Sequence, residues 1–173
     1  MQFETISVVG LGYIGLPTAA VIALRGKQVI GVDVNQHTVD KINKGQAHIE
    51  EPELDIIIRA AVTGGFLRAT TMPEPADAFL IAVPTPFKGN HEPDISFVEA
   101  ATKGVIPLLK KGDLYIIEST SPIGTTEKMQ QLIFASRPEL EGYIYIAYCP
   151  ERVLPGNVMH ELVENDRVIG GVD

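Results

Sequence analysis

Cysteine is almost absent from this sequence, and the scarcity narrows the chemistry at once. Of 173 residues only Cys149 carries a thiol, so no disulfide forms within the chain and no multi-cysteine metal site can be built. A reducing cytoplasm is the compartment that suits such a chain. The four histidines, His37, His48, His91 and His160, are dispersed without metal-ligand spacing, so no metal is expected. Long apolar runs are missing as well: none reaches the roughly 18 residues that a membrane helix needs. The N-terminus has no basic stretch leading into an apolar one and a small-residue cleavage site, and it enters a strand pattern directly, so a soluble, unexported chain is expected. Positive charge is also short, with 14 Lys and Arg against 22 Asp and Glu and a formal net charge of -8. That balance argues against nonspecific binding to nucleic acid or to an anionic membrane, both of which need a basic surface. It leaves anionic ligands open, because a helix N-terminus binds phosphate through backbone N–H groups without any lysine.

What is present reads as one globular domain of ordinary size, 45% apolar and 21% charged. Short apolar runs alternate with segments of helical spacing. Thr5 to Val9, Gln28 to Asp33, Phe66 to Thr70, Ala78 to Val83, Leu114 to Glu118 and Tyr143 to Ala147 read as strands. Ile14 to Leu24, Gln36 to Asn43, Glu53 to Val62, Ile95 to Leu109 and Gly124 to Ala135 read as helices. Phe87 to Pro93 is polar and turn-like. Val158 to Val163 reads as a helical turn and Arg167 to Gly171 as a short strand, after which the chain stops at Asp173 without a terminating element. The alternation predicts an α/β fold with a doubly wound, mostly parallel sheet. The unfinished end suggests a cut through a longer protein.

Gly10, Gly12 and Gly15 form G-x-G-x-x-G where the first strand meets the first helix. Glycine there permits a tight turn and lets a pyrophosphate approach the backbone, against which Tyr13 and Ile14 would also lie. The motif alone is weak, but a strand precedes it, a helix follows, and Asp33 ends the second strand 18 positions after Gly15. That spacing suits a carboxylate that binds a ribose, and a carboxylate repels a 2′-phosphate, so NAD is favoured over NADP. A strand-end cap is the alternative for Asp33.

Three further strand ends carry polar groups. Pro84-Thr85-Pro86 forces the chain out of the sheet and leaves Thr85 where ligands bind in open α/β sheets, although a proline-braced turn without contacts would look the same. Glu118 to Thr126 (ESTSPIGTT) is a hydroxyl-rich turn entering a helix, with helix capping as its plain reading. Glu151 and Arg152 stand side by side after the sixth strand, either as an acid/base group with an anion-binding partner or as a surface ion pair. Cys149 has no identifiable base beside it and reads as packing rather than as a nucleophile.

Taken together, GLGYIGLP, VPTPF, ESTSPIGTTEK and YCPERVLPG resemble the UDP-glucose/GDP-mannose dehydrogenase family across nearly the whole chain. PERVLPG followed by DRVIGG resembles the branch that oxidises UDP-N-acetyl-D-mannosamine to the uronic acid; UDP-glucose enzymes usually carry a second glutamate where this sequence has Pro155. The resemblance implies oxidation of C6 of a nucleotide sugar by two NAD molecules, through an enzyme-bound thiohemiacetal and thioester. It implies that Gly10, Gly12, Tyr13, Ile14, Gly15, Asp33, Thr85 and Thr126 contact NAD. Thr120 matches the threonine that helps place a catalytic water, Glu151 the acid/base glutamate, and Arg152 and Val153 the UDP-sugar-binding loop. The family's nucleophilic cysteine, catalytic lysine and asparagine, dimerising helix and UDP-binding domain all fall beyond position 173. A homodimeric full-length enzyme is therefore implied, with residues 1–173 as its NAD-binding domain, a monomer by itself and inactive alone. UDP-N-acetylglucosamine or UDP-glucose as substrate, or a non-catalytic NAD-binding module, are the other readings.

Overall fold

The computed structural model describes residues 3–89 and 91–172. The middle of the Phe87 to Pro93 turn and the chain end at Asp173 lie outside the described residues. The chain runs β1 (Thr5–Val9), α1 (Gly15–Leu24), β2 (Gln28–Val32), α2 (Gln36–Asn43), α3 (Leu54–Thr63), β3 (Leu67–Thr70) and β4 (Ala78–Ile81). A small hairpin follows, β5 (Phe87–Lys88) with β6 (Glu92–Pro93), then α4 (Ser96–Val105), β7 (Leu114–Ile117), α5 (Thr125–Ser136), β8 (Tyr145–Tyr148), α6 (Val158–Glu164) and β9 (Gly170–Gly171).

Seven of these strands form one sheet in the order β3-β2-β1-β4-β7-β8-β9. All neighbours are parallel except β9, which pairs antiparallel with β8 through Ala147↔Gly171 and Tyr148↔Gly170. Strand alternation sends one set of side chains to each face, as a sheet covered on both sides requires. Val8, Val29 and Leu80 pack with Leu16 and Ala20 of α1, Ile42 of α2 and Ile58 of α3. Val9, Phe79, Ile81 and Ile117 pack on the other face with Val98 of α4 and Met129 and Ile133 of α5. The fold is thus the doubly wound α/β sheet expected from the alternation. Its order reverses between β1 and β4, and the crevice above their carboxyl ends is where such folds bind ligands.

Two elements depart from the sequence reading. The fourth helix stops at Val105 and gives way to a 3-10 turn over Ile106–Leu108, because Pro107 has no N–H to continue the α-helical ladder. The Phe87 to Pro93 stretch contains a two-stranded hairpin whose Lys88 pairs with Asp94 at 3.7 Å.

Candidate active site

Gly10 leaves β1 with φ +95, and a Cβ there would sit 2.6 Å from the carbonyl oxygen of Ala82 on the neighbouring strand end. A Cβ on Gly15 would fall 1.8 Å from the carbonyl oxygen of Gly10. Only glycine lets the turn close this tightly against the start of α1. Gly12 differs: a Cβ there meets nothing within 4 Å, so its bare backbone faces open space beside the first turn of α1. In that turn Leu16 and Thr18 donate to the Gly12 and Ile14 carbonyls at 3.1 and 3.0 Å and Pro17 has no N–H, so the donors left for a phosphate are those of the loop that leads into the helix.

Asp33 follows β2 and closes the loop from below. Its Oδ2 accepts the Leu11 N–H at 3.1 Å and its Oδ1 accepts the Asn35 N–H at 2.9 Å. A carboxylate has about four lone-pair positions, so both oxygens keep capacity for ribose hydroxyls. The same cavity, of about 430 Å³, continues from Gly10, Gly12, Tyr13, Ile14 and Asp33 past Thr85 to Thr120, Glu151 and Val153. Its described lining contains no lysine or arginine, so the positive potential for a pyrophosphate comes from backbone N–H groups.

The far end is built where β4, β7 and β8 finish. The Thr85 hydroxyl donates to the carbonyl of Thr120 at 2.6 Å, and Ser119 Oγ donates to the carbonyl of Val83 at 2.7 Å, so the two strand-end turns are stitched together. The Cys149 N–H donates to the Ile117 carbonyl at 2.9 Å, and the thiol is buried. Glu151 has a side chain only 7% exposed, and its Oε2 receives Arg167 Nη2 at 2.7 Å. The same guanidinium reaches Glu118 Oε1 at 3.3 Å through Nη1. Burial pushes the Glu118 carboxyl up to about 7, against the pull of Arg167.

Most of the residues expected at the site converge here, and two stand apart. Thr126 lines a neighbouring hollow of about 330 Å³ with Ile123, Tyr148 and Gly170. Arg152 is exposed, and its backbone N–H donates to Glu151 Oε1 at 2.6 Å while Arg167 supplies the ion pair to that carboxylate. Sequence reasoning missed Glu118, Arg167 and Glu51. Glu118 was legible only as the start of a capping turn and Arg167 as part of a short strand, since nothing local announces that the chain folds back to bring them together. Glu51 accepts the Gly156 N–H at 2.8 Å and the Val158 N–H at 2.7 Å, tying the loop after β8 to the cofactor half.

A glycine loop under a helix N-terminus, an acidic residue ending β2, and polar strand ends at a topological switch point define an NAD-binding domain of a dehydrogenase. The family model described as UDP-glucose/GDP-mannose dehydrogenase family, NAD binding domain, matches residues 4–173, and the chain belongs to that family. A UDP-N-acetyl-D-mannosamine dehydrogenase of Yersinia pestis is 63% identical over 180 residues, covering 99% of this chain and 43% of the relative. An NDP-N-acetyl-D-galactosaminuronic acid dehydrogenase of Ralstonia nicotianae is 61% identical over the same extent. The solved UDP-N-acetyl-mannosamine dehydrogenase of Staphylococcus aureus superposes with a TM-score of 0.90 at 45% identity, covering 98% of this chain and 42% of that one. The chain therefore spans less than half the length of the relatives it matches.

Proposed function

We propose that this segment is the NAD-binding domain of a longer enzyme that oxidises the C6 hydroxyl of UDP-N-acetyl-D-mannosamine to the carboxylate. The observation that carries the reading is the single cavity in which the glycine loop and Asp33 share space with Thr120, Glu151 and Val153. Relatives bearing that activity in their names align over almost all of this chain, and the 43% share of their length supports a further sugar-binding part.

Gly10, Gly12, Tyr13, Ile14 and Gly15 would hold the pyrophosphate on backbone N–H groups, Asp33 the adenosine ribose, and Thr85 and Thr126 the nicotinamide half. Bound NAD supplies the hydride acceptor. Glu151 takes a proton at its carboxylate and returns it, a role that its low exposure favours by keeping bulk water from competing. Thr120 Oγ1 is left to orient a water, since Thr85 bonds its carbonyl rather than its hydroxyl. Arg152 and Val153 belong to the loop that would close over the sugar nucleotide.

A second reading keeps the chemistry and changes the sugar, favoured by the 61% identity to the N-acetylgalactosaminuronic acid enzyme. We place the protein in the cytoplasm, which suits a buried free thiol and no described helix able to cross a membrane. The full-length enzyme would be a homodimer and this segment a monomer, which sedimentation velocity distinguishes. The test of function is NADH yield from the full gene product on UDP-ManNAc, UDP-GalNAc, UDP-GlcNAc and UDP-glucose. Two NADH per UDP-ManNAc supports the proposal, preference for another sugar moves the substrate, and no NADH from any of them overturns it.

A further inference from the structure

We propose that Arg167 is a positioning residue for Glu151, itself anchored by the buried carboxyl of Glu118, so that three separate elements fix one acid/base group. The inference rests on the reading of Glu151 given above.

Glu151 lies in a loop that begins just after β8, and its backbone ties there are weak: its own N–H reaches the Glu118 carbonyl only at 3.4 Å. A carboxylate on such a loop needs a second fixed point to hold a productive angle. Arg167 supplies it. The residue stands just before β9, and the antiparallel pairing of Gly170–Gly171 with β8 brings it back over the loop. One nitrogen bonds Glu151 Oε2 at 2.7 Å and the other Glu118 Oε1 at 3.3 Å, with Cys149 Sγ 3.8 Å away. A planar fork that spans two carboxyls is geometry a lysine cannot reproduce.

Glu118 is the fixed end of this chain of contacts. It continues from β7, its side chain is 4% exposed, and its N–H donates to the Ile81 carbonyl at 2.8 Å, so the sheet itself locates it. Among the described residues its buried Oε2 has no hydrogen-bond partner, and neither has Thr18 Oγ1 of α1. Among the described residues Arg167 and Glu151 act on Glu118, the Cys149 thiol meets the same Arg167 nitrogen at 3.8 Å, and the Thr18 hydroxyl stands near enough to favour the ionised form without meeting hydrogen-bond geometry. Packing gives no reason to bury a carboxyl in this cavity wall, because a buried carboxyl with an unpartnered oxygen is costly. Holding the guanidinium at the correct place over Glu151 is a reason.

The experiment uses the full gene product with Arg167→Met, Arg167→Lys, Glu118→Gln and Glu151→Gln, reading kcat, KM, NADH affinity and the pH profile. Arg167→Met should lower kcat on the order of 100-fold while the KM for sugar and the NADH Kd stay within about threefold. Arg167→Lys should recover about tenfold of that loss, and Glu118→Gln should cost about tenfold in kcat. The acid limb of the kcat profile should move to higher pH in Arg167→Met, where a cation is lost. In Glu118→Gln the limb should stay in place while kcat falls, because a carboxyl pushed up to about 7 is already neutral on the acid side and only its anchoring of Arg167 is lost. A merely structural role for Arg167 would lower Tm and leave the Arg167→Met limb in place, and that result overturns the inference. If Arg167→Met does not fold, Arg167→Lys decides it: a kcat about tenfold below the parent with KM and NADH Kd unchanged supports the inference, and parental kcat overturns it. Full turnover in Glu151→Gln would instead overturn the functional reading beneath it.

Discussion

Gly12 and Gly15 are three residues apart and glycine for opposite reasons. A methyl on Gly15 would overlap the Gly10 carbonyl at 1.8 Å, whereas one on Gly12 would enter open space. Gly15→Ala should therefore destabilise the domain, by about 3 kcal/mol or more in urea unfolding, since backbone must move. Gly12→Ala should fold with Tm unchanged within about 1 °C and yet bind NADH at least tenfold more weakly, because its methyl occupies the phosphate approach. Equal effects of the two on stability would contradict that division. Glu118 gives the pH counterpart. Its folded pKa is raised from 4.5 to about 7, so its contribution to stability is present below about 4.5 and lost as pH rises through about 7. Glu118→Gln should match the parent near pH 4 and exceed it at pH 8 by on the order of 3 kcal/mol in urea unfolding; identical pH profiles would refute it. The sequence shows the glycines and Asp33 plainly because their spacing carries their role. It shows Glu118 and Arg167 poorly, because a buried bridge across 49 residues leaves no local pattern.

At the scale of elements, strands and helices were legible wherever periodicity was strong, and their ends shifted where one residue intervened, as Pro107 does in closing α4. The hairpin of β5 and β6 was not legible, since two-residue strands give no alternation to read. Nor was the antiparallel direction of β9, which depends on where the chain turns after α6. The Glu51 clasp belongs here too, since it joins the segment between α2 and α3 to the start of α6. Glu51→Gln keeps the shape but replaces one acceptor oxygen by a donor, leaving an amide opposite an N–H. It should leave NADH affinity within about twofold and make the 151–157 loop cut faster by protease, on the order of tenfold. Unchanged cleavage would show that the loop is held by other contacts.

For the whole molecule, an acidic protein with a net charge of -8 receives an anionic cofactor. Within one cavity the glycine loop offers backbone N–H groups beside a single carboxylate, Asp33, while Glu118 and Glu151 stand at the other end, where Arg167 neutralises part of their charge. The glycine loop and Asp33 lie in the first few dozen residues and close against Ala82 and Thr85, while the end that holds Glu151 waits for the return strand. Glu51 adds to that asymmetry, for its partners lie 105 and 107 residues downstream. Synthesis delivers the glycine loop, Asp33 and Glu51 early, and the loop that carries Glu151 together with Arg167 last. The order of synthesis therefore matches the order of the cavity: the glycine-loop end is complete in sequence more than a hundred residues before the end that fixes Glu151, so the late contacts close onto a surface already laid down.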